Sequence, residues 1–148
     1  MKKYVFLFLV FVAFLTSCSV ENDGPVVRTE FMPIVNVAVP DHFVQGQTHE
    51  ILMSYVKPNS CYVFNNIIFD IEGHERTVSI LNTVYQNQTC VTQNELTTVS
   101  FDLTVSGDEV YLFKFYQGKD EYGVDQYHLV EVPVVNGRNL DLTKSNNN

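Results

Sequence analysis

Three groups of side chains have types and spacings that could do chemistry. Residues 119–125, Lys-Asp-Glu-Tyr-Gly-Val-Asp, gather three carboxylates around a glycine. Carboxylate oxygens at that density suit a hard cation such as Ca²⁺, although the spacing is not that of an EF-hand loop. Asp120, Glu121, Tyr122 and Asp125 are therefore the candidate binding residues. A solvated hairpin tip and a tip that faces a protein or glycan are the competing readings. Tyr122 and Tyr127 supply rings that can stack on a sugar or peptide. In the second group, Asp70 and Glu72 share one strand face. Paired carboxylates do acid–base work where a cleft separates their pKa values; on an outer sheet face they are solvated charges. The third group is His42, His49, His74 and His128, which fall in different segments without His-x-His or His-x-x-x-His spacing. Asp41-His42 and His49-Glu50 flank one turn, where a metal site is conceivable and surface turn residues are the plainer reading.

No Gly-x-Ser-x-Gly elbow, His-Glu-x-x-His pair or phosphate-cradling glycine loop is present. No catalytic residue, metal or cofactor is assigned, and a protein that is not an enzyme is expected. Cys61 and Cys90 form an even pair once Cys18 is set aside. Two cysteines without further ligands at metal spacing do not make a zinc site. In an exported chain they are expected to oxidise to a disulfide.

The first residues say where such chemistry would operate. Lys2 and Lys3 precede an unbroken apolar run over residues 4–15. That run is shorter than the roughly 20 residues of a membrane-spanning helix and fits a signal peptide. It ends in Leu15-Thr16-Ser17-Cys18. This stretch resembles the lipobox of bacterial lipoproteins: a Leu, two small residues and an obligatory Cys. The resemblance implies acylation at Cys18, cleavage before it, and attachment to the membrane through N-terminal acyl chains. Two or more such chains hold firmly where one is marginal. Cys18-Ser19-Val20-Glu21-Asn22-Asp23 looks like a loose version of the acidic export signal of Bacteroidota-type lipoproteins. Ser19 does not resemble the Asp of inner-membrane retention signals. The implied location is the cell envelope, anchored to the outer membrane and facing the periplasm or the surface.

Of the 148 residues, removing the first 17 leaves 131, the size of one domain. The cut removes two lysines and no acid, so the formal charge falls from −8 to −10. That charge excludes nucleic acid as a natural partner, because phosphate binding needs a Lys/Arg footprint.

The remaining elements must position any site. Apolar residues alternate over residues 31–39, 49–56, 61–71, 76–86, 95–105, 109–117 and 126–135, with turn residues between. Examples are Val35, Val37 and Val39; Cys61, Val63, Ile67, Phe69 and Ile71; and Tyr111, Phe113 and Phe115. This pattern predicts an all-β fold of seven antiparallel strands and no helix. Two facing sheets of this size resemble the immunoglobulin-like β-sandwich, with a closed barrel as the alternative. The antibody Trp and the bridge between strands two and six have no counterpart here. If each strand reverses, Cys61 and Cys90 fall at one end with the 118–125 loop. Tyr111 sits where a tyrosine corner would be, with a plain core Tyr the preferred reading. The expected organisation is a signal peptide over residues 1–17, a lipidated Cys and tether over 18–29, and a sandwich over 30–136. A tail over 137–148 could add one short strand through Leu140 and Leu142 before fraying.

The expected function is an envelope-anchored lipoprotein acting as a non-enzymatic binding or assembly module, with a protein or glycan partner. A small envelope hydrolase or metal-dependent enzyme, and a purely structural spacer, are the alternatives. Cys18→Ala is expected to release the protein from the membrane fraction or block its processing. A variant that fractionates and incorporates acyl label like wild type would overturn the lipobox reading.

Overall fold

The computed structural model of the chain describes residues 24–137. Cys18, the signal segment and the tail strand expected through Leu140 and Leu142 lie outside the described residues. The fold is all-β, as expected, with ten strands among the described residues rather than seven. They are β1 (Val27–Met32), β2 (Ile34–Ala38), β3 (Phe43–Val44), β4 (Thr48–Asn59) and β5 (Tyr62–Glu72), followed by β6 (Glu75–Tyr85), β7 (Thr92–Thr104), β8 (Tyr111–Lys119), β9 (Asp125–Val132) and β10 (Val134–Val135).

Two prolines account for most of the excess. Proline has a fixed φ and no N–H for a ladder, so it interrupts a strand. Pro33 divides the first predicted strand into β1 and β2, which join different sheets. Pro133 divides the last into β9 and β10. The short β3 arises in a segment read as turn; its Phe43 N–H donates to the Pro133 carbonyl at 2.9 Å. β1 begins at Val27, inside the stretch read as tether.

In the larger sheet β5 pairs antiparallel with β6. The other edge of β6 holds β1 antiparallel from Ile80 to Tyr85 and β8 parallel from Glu75 to Val78. β9 pairs antiparallel with β8. The smaller sheet runs β2–β4–β7, all antiparallel, and β3 pairs parallel with β10. Uniform antiparallel pairing is thus corrected at two places. An immunoglobulin constant-type order would set β5 directly beside β8; here β6 stands between them. The cause is local. Glu72 opposes Glu75 across a two-residue loop, Gly73-His74, with Gly73 at φ +58°. A hairpin this tight obliges consecutive strands to pair.

The core lies between the two sheets. Ile51, Met53 and Tyr55 from β4 meet Val78 and Ile80 from β6 and Phe113 and Phe115 from β8, all fully buried. Phe43 of β3 closes one end, packing edge-on to Tyr111 at 5.6 Å and Phe113 at 6.0 Å. The expected inward faces of β4 and β8 are therefore correct. Two others shift phase at β-bulges, where one extra residue reverses the alternation. The bulge between Ile34 and Asn36 buries Ile34 and leaves Val35 exposed. The bulge between Phe64 and Asn66 puts Phe64 opposite buried Asn82, and Val63 points to solvent.

Phe113 is fully buried, whereas Phe101 only packs against the core from the edge of the smaller sheet, beside Phe69 at 5.2 Å. Phe113→Ala should cost about 3–5 kcal/mol in urea unfolding and Phe101→Ala clearly less. Equal losses at the two positions would contradict this placement of the core.

Candidate functional site

Strand direction brings the expected elements to one end. β6 and β8 run parallel, so the loop after β6 and the turn after β8 lie at the same end. Val27, the first residue of β1, pairs there with Tyr85, the last of β6. Cys61, just after β4, is bonded to Cys90 in the β6–β7 loop, with Cα atoms 5.4 Å apart. The expected disulfide is present. Main-chain bonds reinforce it: Ser60 N–H donates to Val91 O at 3.0 Å, and Tyr85 N–H donates to Cys61 O at 3.1 Å. By chain entropy a bridge closing about 30 residues contributes about 3.5 kcal/mol.

Asp120, Glu121 and Tyr122 lie in the β8–β9 turn, and Asp125 opens β9 directly opposite Lys119. The turn is built by its own acids. Asp120 Oδ1 accepts the N–H groups of Tyr122 and Val124, each at 2.9 Å, and Oδ2 accepts Gln126 Nε2 at 3.0 Å. Such side-chain acceptance of nearby N–H groups is the means by which Asp sets turns. Gly123 supplies φ +80° and donates to Asp120 O at 3.0 Å. Lys119 Nζ reaches Asp125 Oδ1 at 2.6 Å, and this bond raises the lysine pKa. Two of the three carboxylates are therefore spoken for within the turn. Among the described residues, no three or more His, Cys, Asp or Glu side chains stand as a metal-binding group. What the turn presents outward is Glu121 and Tyr122, the latter 83% exposed.

The histidines stay apart. His49 Nε2 accepts the Val44 N–H at 3.0 Å and its ring packs on Phe43 at 5.0 Å, so it braces the turn it was considered to serve as a ligand. His128 lines a shallow groove with Gln117 and Ile34. His74 lies at the opposite end of the domain, in a cleft of about 170 Å³ with Arg76, Ser106 and Tyr111. Asp70 is exposed, and its Oδ1 accepts the Ile71 N–H at 3.0 Å.

Two features have no signal in the sequence, and a third, at Tyr111, combines both of its expected readings. Tyr111 is a core ring with a corner-type bond: its hydroxyl accepts the Gly107 N–H at 3.4 Å, and Arg76 stacks 4.9 Å above the ring. Burial raises this phenol's pKa, but hydrogen bonds from Gly107 and Ser106 and the Arg76 charge outweigh it, and the net shift is downward. Phe31, Tyr116 and Tyr127 form a row on the larger sheet, with ring centroids 6.0 Å apart at each step. Tyr116 is pushed up by burial and by Asp125. A groove of about 460 Å³ separates the free edges of β5 and β7, lined by Phe64, Phe69 and Phe101. On β5 the N–H groups of Ile67 and Ile71 are capped by the Asn66 and Asp70 side chains. Occupied edge donors oppose pairing with another strand. The rings of the row come from three separate strands, so no local pattern signals it.

No family model, no curated protein and no solved structure matches the chain. Among the described residues no helix is long and apolar enough to cross a membrane.

If Asp120 sets the turn, Asp120→Ala should cost about 1–2 kcal/mol and speed amide exchange at Tyr122 and Val124 above the rest of the domain. Unchanged exchange at both would show that the backbone holds the turn by itself.

Proposed function

We propose that the chain is a lipid-anchored, non-enzymatic binding or assembly module of the cell envelope, attached to the outer membrane through Cys18. The observation that carries this reading is Leu15-Thr16-Ser17-Cys18 at the end of a 12-residue apolar run. The net negative charge makes acyl chains, and not lipid headgroups, the means of attachment. We read the two facing layers as a variant of the immunoglobulin-like sandwich, alike in layers and different in strand order. Rigid sandwiches commonly carry recognition on their connecting loops.

The β8–β9 turn supports a binding role. Its backbone is held by its own side chains, so Tyr122 and Glu121 are presented with little conformational freedom to lose on contact. An exposed tyrosine on a fixed turn suits a protein surface or a sugar ring. The expected partner is accordingly a protein or glycan of the envelope.

A photo-crosslinking residue placed at Tyr122 in the native envelope should yield a discrete adduct. The same residue at exposed Asn65, on the β5 edge, should not. Identical adducts at both positions, or none at Tyr122, would overturn the turn as the contact surface while leaving the membrane attachment to its own test at Cys18.

A further inference from the structure

Asn82 stands where the alternation of β6 calls for a hydrophobe; its neighbours on the same face are Val78, Ile80 and Val84. Asn82 is fully buried, and neither its amide nitrogen nor its oxygen has a hydrogen-bond partner among the described residues. The hydroxyl of fully buried Tyr55 and the Oγ1 of Thr97 share that condition.

Topology turns all three side chains into the space between the sheets. Tyr55 and Thr97 oppose each other on β4 and β7, so both point inward from the smaller sheet. Asn82 points inward from the larger. Its amide lies near enough to the Tyr55 hydroxyl to offset part of the rise that burial imposes on the phenol, without meeting hydrogen-bond geometry. Within the larger sheet Asn82 is flanked by Phe64 on β5 and Glu30 on β1. The Glu30 carboxylate is already engaged: it accepts the Tyr62 hydroxyl at 3.2 Å and is paired with Arg28.

The donor count decides what belongs between them. An amide has two N–H donors and an acceptor oxygen, and each hydroxyl both donates and accepts. A direct Tyr55–Asn82 bond would leave at least one amide N–H and the Thr97 hydroxyl unpaired. Buried polar atoms in folded proteins find a partner in protein or in water. An apolar ligand satisfies none of them, and an ion finds no free countercharge, since Glu30 is held by Arg28. Water both donates and accepts, and needs two to four polar partners.

We infer that Tyr55, Asn82 and Thr97 form a built-in binding site for an ordered water between the two sheets. The site lies in the half of the core nearer the disulfide, with the Arg28–Glu30–Tyr62 network beside it.

The test is rotating-frame Overhauser transfer from water to the Asn82 side-chain amide in the intact, disulfide-bonded protein. The expected result is a cross-peak with the sign of dipolar contact and not of proton exchange. It should be lost in the Tyr55→Phe/Thr97→Val double variant, which keeps Asn82 and nearly all of the side-chain volume. Should that variant fail to fold, Thr97→Val alone should weaken the signal. No dipolar transfer in the wild type, or an unchanged cross-peak in the folded variant, overturns the proposal.

Discussion

The larger sheet depends on β6 serving three neighbours at once. One edge is filled along its length by β5; the other is shared, with β8 on its first half and β1 on its second. That division is possible because β1 stops at Pro33 and leaves for the other sheet as β2. The crossing brings Pro33 against β8 at Gly118, where a Cβ would sit 3.3 Å from the proline ring. Gly118 also has φ +101°, a conformation costly for any other residue. Proline and glycine thus meet at the point where the chain passes between layers. The sandwich is joined there covalently as well as by its apolar contacts.

Much of this was legible, and the illegible parts share a physical cause. Period-two alternation identifies five of the seven expected segments as single strands, because each has one wet and one dry face, while Pro33 and Pro133 split the other two. It locates Ile51, Met53, Tyr55, Phe113 and Phe115 in the core. It misplaces Val35 and Val63, because a bulge adds one residue without any compositional mark. It gives no sheet order, since alternation describes a strand's faces and not its edges. The tight Gly73-His74 hairpin was the available clue that β5 and β6 must pair. Asn82 was visible too, as a polar residue on an apolar face, although its counterparts Tyr55 and Thr97 lie on distant strands.

The candidate turn shows how composition can mislead about chemistry. Three acids in seven residues suggest a cation site, yet Asp120 spends one oxygen on main-chain N–H groups of its own turn and the other on the Gln126 side chain, and Asp125 is paired with Lys119. Acids in a hairpin tip are enriched for conformational reasons before any ligand is involved. The turn's outward chemistry is therefore aromatic and singly charged. The disulfide was deducible because its inference needed only strand reversal from β4 to β7, which holds there whichever sheet each strand joins.

The position of Val27 carries a mechanical consequence under the lipid-anchored reading. Load transmitted from the membrane would enter the domain at Val27 and run along β1. The hydrogen bonds of an antiparallel ladder lie across the strands, so a pull along β1 against the far end of the domain strains its six register pairs with β6 together. Loading in shear resists rupture better than peeling bonds one at a time. The Cys61–Cys90 bridge adds a covalent tie between the β4–β5 turn and the loop that follows β6 at that same end. The fold is thus reinforced on the side where an anchored protein would first feel tension.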